Sequence, residues 1–450
     1  MMPWGEAALL LIGLLTVALL SGLPVAFAFM AVNIVGAIVF LGGEAGLTQM
    51  ARNSVTAVTS FTLTPIVFFV LMGALLFHSG VALKAIDAVE QVIRRLPGRL
   101  AVVAVVAGTL FSAVSGSTIA TTALLGTLLL PRMLARGYEK KAAMGPIMAI
   151  GGVDVLIPPS ALAVLLGSLA GISIADLLFA GIVPGLVMAG LFVVYIVATA
   201  SLDPAIAPDD GFEARDGLAR YLPFLVYVVP LASIFVAVIG SMSSGIATPT
   251  EAAAVGAAAC LVLVALYGGL SFAGLLAALR ETLAISGMLL FGVYGRTGGF
   301  EPLFVILAST TFSQILNFSG ASAGFVDLFV KTGWGELATV FAMTAVILIL
   351  GCFVDQVSIM MITLPFFMPI AAALSIDKVW LGVVMLIGMQ MGLLTPPFGL
   401  LLFTMKSVAP KDVTMGEVYR AALPYIAIGM AVLLAVILWP PLATWLPGLL

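Results

Sequence analysis

From Leu100 to Leu130 the chain carries no charged residue, and the run is interrupted near its middle by Ser115-Gly116-Ser117. Arg94, Arg95 and Arg99 precede it; Arg132 and Arg136 follow it. Divided at the serines, each arm has about 14 residues and reaches about 21 Å as a helix, short of a hydrocarbon core of about 30 Å. A single crossing by the whole run would put basic clusters on both sides of a bilayer. A re-entrant helical hairpin satisfies both constraints. Its tip is tolerated at membrane depth only where protein or a water-filled cavity covers the backbone.

Composition supports a membrane setting for this run. Of 450 residues, 62% are hydrophobic and 9% charged, where a soluble chain carries about 25% charged residues. There is too little polar surface to cover a water-facing globule. Cytosolic enzymes, nucleic-acid binders and disulfide scaffolds are thereby excluded, and a net charge of −3 gives nucleic acid no purchase. Cys260 and Cys352 lie in apolar runs and read as free thiols; the single histidine, His78, reads as a helix-end residue. The fold class is an all-α polytopic membrane protein. Measured against the roughly 20 apolar residues that a crossing needs, spans fall near 5–20, 22–41, 62–80, 142–171, 176–200, 221–240, 247–268, 379–405 and 421–446. Residues 44–60 and 271–282 are half-polar and read as interfacial arms; 283–320 is apolar but interrupted at Gly295–Gly299.

A second set of features repeats the first. Pro131 is followed 27 residues later by Pro158-Pro159, and Pro369 is followed 27 residues later by Pro396-Pro397. The same separation of 238 residues relates the two sets and places Ser117 opposite Asp355. Paired proline-broken segments in corresponding halves point to a transporter of two inverted repeats with its site at the midplane. On this reading residues 1–200 form the first repeat, with scaffold helices in 5–80, a hairpin at 99–135, a broken helix at 142–171 and a helix at 176–200. Residues 201–220 are a cytoplasmic connector. Residues 221–450 form the second repeat, with scaffold helices in 221–320, a hairpin at 337–372, a broken helix at 379–405 and a helix at 421–446.

Proline lacks an N–H and disrupts the carbonyl four residues back, so two consecutive prolines free several backbone carbonyls together. Freed carbonyls and hydroxyls make cages for small hard cations, while the N-terminus of the following half-helix favours an anion. The hairpin tips supply the facing wall: Ser115, Ser117, Thr118, Thr121 and Thr122 on the first, Asp355, Gln356 and Ser358 on the second. Gly151, Gly152 and Gly392 permit close backbone approach. Asp154 and Asp355 are intramembrane acids, costly and therefore functional candidates. Charge sets the orientation: with the first hairpin based in the cytoplasm and the second outside, fourteen of the 18 lysines and arginines fall on the cytoplasmic side. Both termini are then outside.

Several strings together resemble the large membrane subunit of tripartite ATP-independent periplasmic (TRAP) transporters of the DctM type. They are Phe111-Ser-Ala-Val-Ser-Gly-Ser117, Leu156-Ile-Pro-Pro-Ser160, Ala180-Gly-Ile-Val-Pro184, Gly245-Ile-Ala-Thr-Pro-Thr-Glu-Ala252 and Gly392-Leu-Leu-Thr-Pro-Pro397. The resemblance runs over almost the whole chain. It implies a sodium-driven elevator of the ion-transporter superfamily in a bacterial inner membrane, importing an organic anion of carboxylate type, with sodium as coupling ion and no other cofactor. It implies a periplasmic substrate-binding protein and a small four-helix membrane subunit as partners, alongside membrane lipid. The sodium ligands it implies are Ser115, Gly116, Ser117, Gly152 and Asp154 at one site and Gly351, Asp355, Gly392 and Thr395 at the other, many through backbone carbonyls. Ser115, Ser160, Asp355, Gln356 and Thr395 are expected to face the solute. The chain departs from the family in two places. Asp154 stands where many relatives have glycine, and Gly295–Glu301 looks like extra length. Two other readings stand beside this one: a stand-alone sodium/anion symporter of similar fold, and an intramembrane lipid-phosphate enzyme, which would need acids or a base clustered at the membrane face beyond Asp209-Asp210.

Overall fold

The structure, a computed structural model, describes residues 2–449 apart from 24, 59–62, 94–95, 116–117, 209–216 and 287–310. Every element among them is helical. The first half contains α1 (Trp4–Leu20), α2 (Val25–Phe40), α3 (Glu44–Val58), α4 (Thr64–His78), α5 (Val81–Val92), α6 (Arg99–Ser115), α7 (Thr118–Ala135), α8 (Lys140–Asp154), α9 (Ala161–Ala170) and α10 (Ile174–Leu202). The second contains α11 (Phe224–Ser243, opening in a π turn), α12 (Pro249–Leu266), α13 (Phe272–Ser286) and the described part of α14, residues 311–318. It continues with α15 (Ala321–Lys331), α16 (Glu336–Gly351), α17 (Gln356–Ala373), α18 (Lys378–Leu394), α19 (Leu400–Val408), α20 (Met415–Leu438) and α21 (Pro441–Thr444). Among the described residues five helices, namely α10, α11, α12, α17 and α20, are long and apolar enough to cross a membrane. The chain is a multi-pass membrane protein.

α8 and α18 form the centre. Every residue from Ala143 to Asp154 and from Trp380 to Leu394 is buried, so both helices are enclosed on all sides. Each is too short to cross alone, because a break at a proline pair follows it. A shift of 238 residues carries α7 onto α17 without remainder, the first residue of α8 onto that of α18, and the last residue of α9 onto that of α19. Both proline–proline peptides, Pro158-Pro159 and Pro396-Pro397, are cis.

Packing gives the directions of these helices. Glu139 N–H, just before α8, donates to Ile206 O, just past the end of α10, over 2.9 Å. A Cβ built on Gly181 in the first half of α10 would lie 2.4 Å from Leu156 O beyond the end of α8. α8 and α10 are therefore antiparallel. A Cβ on Gly382, near the start of α18, would lie 2.8 Å from Leu177 Cδ1, near the start of α10. α18 thus starts where α10 starts, and α8 starts where α10 ends. The two broken helices point in opposite directions and cross where a Cβ on Gly152 would lie 3.0 Å from Met391 Cε.

α6 and α7 pack on each other and return to one place. Glu90 Oε1 on α5 accepts from Arg99 Nη2 at the start of α6 (3.2 Å) and from Arg136 Nη1 just past the end of α7 (2.8 Å). Leu100 N–H donates to Tyr138 Oη over 3.2 Å, closing the same base.

Several extents differ from those read in the sequence. The arms of the first hairpin are longer than the apolar run implied, at 17 and 18 residues, because α6 begins at Arg99 and α7 continues through Pro131. The terminal helix read as 421–446 begins at Met415, capped by Thr414 and Glu417, and stops at Leu438 before Trp439-Pro440-Pro441. Its start was obscured by the polar capping residues. The helix α5 had no counterpart in the reading, since its Lys84, Asp87 and Glu90 break the apolar signal. α4 and α5 meet at a 73° bend where Gly80 adopts φ 71°, the left-handed region glycine enters without cost. The arms read at 44–60 and 271–282 are helices α3 and α13, and α13 runs on to Ser286. The interruption at Gly295–Gly299, with Asp209-Asp210, Arg94 and Arg95, lies outside the described residues.

Candidate functional site

The candidate site lies where α8 and α18 cross between the two hairpin ends. In the first half, α8 ends at Asp154, which is 3% exposed. The chain turns through the prolines to Ser160, whose buried Oγ caps α9 by accepting from Ala163 N–H at 3.2 Å. A helix C-terminus carries partial negative charge. A buried carboxylate placed there adds like charge to like, an arrangement suited to a cation.

In the second half, Thr395 follows α18 and its Oγ1 donates back to Met391 O over 2.7 Å. The break is held by Tyr419 Oη, which donates to Pro397 O at 2.8 Å, and by Phe398, whose ring lies 5.7 Å from that of Phe353 on the second hairpin. The backbones of α16 and α18 touch: a Cβ on Gly392 would lie 2.6 Å from Gly351 Cα. Neither position admits a side chain without displacing backbone. The structure thus brings Gly351 and Gly392 together, and Gly152 near Met391.

Asp355 is the N-cap of α17. Its Oδ2 accepts from Val357 N–H (3.0 Å) and Ser358 N–H (3.1 Å), and Ser358 Oγ donates to its Oδ1. The side chain is exposed, so its role at the tip begins with holding the helix start. Gln356 beside it is buried, at 8% exposed. Ser115 closes α6, while Gly116 and Ser117 lie outside the described residues.

One residue was missed by sequence reasoning. Gln390 in α18 is fully buried, and its Nε2 donates to Thr118 Oγ1 over 2.8 Å, joining the second broken helix to the first hairpin. The only signal was an amide inside an apolar run. Thr118 and Thr122 also line Gly151: a Cβ there would lie 2.6 Å from Thr118 Cγ2 and 3.7 Å from Thr122 Oγ1. Oxygen-bearing side chains therefore stand beside Gly151 (Thr118 and Thr122), at the two breaks (Ser160 and Thr395) and at the end of α8 (Asp154). Among the described residues no three His, Cys, Asp or Glu side chains gather. Oxygen donors of this kind suit a hard cation better than a soft transition metal.

Ion pairs also form outside the core. Lys140 Nζ donates to Asp412 Oδ2 at 2.7 Å, and the ammonium holds the Asp412 carboxyl below the usual carboxylate range. Arg132 Nη1 donates to Asp87 Oδ1 at 3.1 Å. His78, at the end of α4, places Nε2 2.6 Å from Glu281 Oε2 on α13.

Comparison with known proteins supplies a family. The family model described as the tripartite ATP-independent periplasmic transporter, DctM component, matches residues 12–442. The chain is 32% identical over 391 residues to the C4-dicarboxylate TRAP transporter large permease protein DctM of Pseudomonas aeruginosa, covering 86% of each. It is 28% identical to the sialic acid TRAP transporter large permease protein SiaM of Vibrio cholerae, covering 96% of each. In fold it is similar to the YdaH transporter of Alcanivorax borkumensis, with a TM-score of 0.63 at 16% identity over 90% of this chain and 91% of that one.

Proposed function

The chain belongs to the family of TRAP transporter large permeases (the DctM component), and from that premise we propose that it drives uptake of an organic anion by a sodium-coupled elevator motion. It is a transporter subunit and not an enzyme, as its relatives are named. The lipid-phosphate reading falls with that.

The observation that carries the proposal is the antiparallel crossing of α8 and α18, each followed by a proline pair and related by one constant offset. Two such helices meeting at mid-depth are what inverted repeats would produce, and their breaks supply carbonyl oxygens for sodium. Asp154 at the negative end of α8 favours a cation in the first cage. The half-helix N-termini of α9 and α19 favour a carboxylate nearby. The solute is taken to be a carboxylate because relatives are named for a C4-dicarboxylate and for sialic acid, both acids by name.

The bases of α6 to α8 and the start of α20 gather Arg99, Arg132, Arg136, Lys140, Lys141 and Arg420 at one end, which supports a cytoplasmic placement of that end in a bacterial inner membrane, with both termini periplasmic. A periplasmic binding protein and a small membrane subunit complete the assembly. The test is reconstitution of all three proteins in liposomes. Uptake should collapse when choline replaces the sodium gradient and when the binding protein is omitted. Uptake undiminished without sodium overturns the coupling; uptake undiminished without the binding protein makes the chain a stand-alone symporter.

A further inference from the structure

The start of α8, beside the end of α10 and the start of α20, is built differently from its counterpart in the other half. A cavity of about 200 Å³ lies there, its wall including Glu139, Lys141, Ala142, Tyr195, Arg420 and Tyr425. The 238-residue shift places Trp380 opposite Ala142. Trp380 is 2% exposed and its Nε1 donates to Val436 O over 2.8 Å, so an indole stands in the second half where the first has a methyl and a hollow. The same shift sets Val379, Leu433, Ile182 and Val187 opposite Lys141, Tyr195, Arg420 and Tyr425. Packing of the duplicated helices thus requires neither the hollow nor the four polar groups around it.

Those groups are free to receive a ligand. Tyr425 is 4% exposed, and its hydroxyl has no hydrogen-bond partner among the described residues. A buried phenol left unpaired is costly. This one is also rigid: a Cβ on Gly145 would lie 2.5 Å from Tyr425 Cε2, and the ring lies 5.3 Å from Phe192 and 5.4 Å from Tyr195. The Tyr195 hydroxyl likewise has no partner among the described residues. Lys141 pairs with Glu139 at 3.1 Å, whereas Arg420 has no ion pair among them, which leaves one guanidinium uncompensated at the cavity. The space is smaller than the roughly 300–1,000 Å³ of a drug-sized ligand pocket and several times the ~30 Å³ share of a water. A planar guanidinium and two phenol donors match a small anion with several acceptor oxygens, phosphate above all. Val194 and Leu423 on the same two helices are exposed aliphatics against which acyl chains can lie. Basic pockets between membrane helices at the cytoplasmic end bind headgroups of acidic lipids.

We propose that this cavity binds a phosphate group, with Arg420 matching its charge and Tyr195 and Tyr425 donating to its oxygens. An acidic phospholipid headgroup and free inorganic phosphate share that chemistry. The site lies about 16 Å along α8 from the crossing at Gly152, and its occupancy does not depend on the transported solute or its coupling ion.

The test follows thermal melts of the full chain, stripped of lipid in detergent. One arm titrates phosphatidylglycerol; the other titrates sodium phosphate, with sodium chloride holding ionic strength constant. The parent should be stabilised along a saturable curve in at least one arm. Arg420→Gln should raise the half-saturating concentration at least about tenfold, the scale of a lost hydrogen bond to a charged group. Tyr425→Phe, which keeps the ring, should raise it severalfold. Arg132→Gln, whose partner is Asp87 and which does not line the cavity, should match the parent. Ala142→Trp, which copies the other half, should abolish saturation; if it inserts poorly, Arg420→Gln and Tyr425→Phe decide. Saturation by phosphatidylglycerol alone assigns the site to a lipid headgroup, and saturation by sodium phosphate assigns it to the phosphate group itself. No saturable effect in either arm overturns the proposal, as do Arg420→Gln and Tyr425→Phe with the parent's curve. Arg132→Gln as weak as Arg420→Gln also overturns it, since general charge then accounts for the binding.

Discussion

The two hairpins are held in place by different physics. The first is clamped at its base by charge: Glu90 and Arg99 side chains are each 7% exposed, and the same carboxylate oxygen also receives Arg136. The second has Leu337 and Leu374 where the shift of 238 residues would place Arg99 and Arg136. Its outer helix leans instead on rings: Phe366 lies 5.3 Å from Phe325 and 6.4 Å from Phe312, which are in turn 6.0 Å from Trp4 and 5.0 Å from Phe29. A directional clamp fixes α5 to the first hairpin as one body. Apolar contact is non-directional and tolerates sliding. The breaks differ in the same spirit, with a carboxylate at Asp154 opposite a bare backbone contact at Gly392.

Seven substitutions, taken in four steps, break or sharpen this contrast. The largest effect is expected from Glu90→Ala, which leaves two guanidinium groups around a vacated buried site. It should destabilise by about 3–5 kcal/mol, read as loss of folded protein in thermal melts. Phe366→Leu at the second hairpin should cost much less, and near-equal losses would remove the distinction. Next is Gly392→Ala, whose methyl would meet the Gly351 backbone at 2.6 Å. Overpacking of this kind costs about 1–3 kcal/mol, and uptake should be abolished. At the matching position Asp154→Gly should fold normally while weakening sodium binding, measured by isotope titration; unchanged sodium affinity would remove Asp154 from the cage. Third, Asp355→Ala removes a helix cap worth about 1 kcal/mol and should abolish uptake with insertion intact. Asp355→Asn keeps an acceptor for the cap, so normal uptake in that variant would reduce the role to capping, while lost uptake would point to ion coordination. The smallest effect is expected for Asp412→Asn. The Asp412 carboxyl sits below its usual range because of Lys140, so its contribution is present at neutral pH and fades as pH falls through that lowered value. Melting curves of the parent and Asp412→Asn should differ slightly at neutral pH and converge in acid. Because the pair is exposed, salt should erase the difference as well.

Much of the architecture was legible because prolines and charge gaps are local signals. Pro158-Pro159 and Pro396-Pro397 mark the breaks by their chemistry alone, and their equal spacing is the same 238-residue shift that carries α7 onto α17. Gly392 was legible as a close-approach position, though not that its partner is Gly351. Contacts between residues far apart in sequence were not legible. Nothing local to Glu90 says that it meets Arg99 and Arg136, and Gln390 and Thr118 stand 272 positions apart. Helix α5 hid for a related reason: its charges are paid for by partners that only the folded chain supplies. Asp355 was read as a tip residue from its depth in apolar sequence, while its capping role needed the helix start to be seen.

Lys141 near the start of α8 and Lys378 at the start of α18 are both exposed and allow the most direct test. With Cys260 and Cys352 replaced by serine, Lys141→Cys and Lys378→Cys can each be challenged with a membrane-impermeant maleimide in intact spheroplasts and in inverted vesicles. Opposed broken helices predict that position 378 labels only in spheroplasts and position 141 only in inverted vesicles. Labelling of both from the same side would contradict the account.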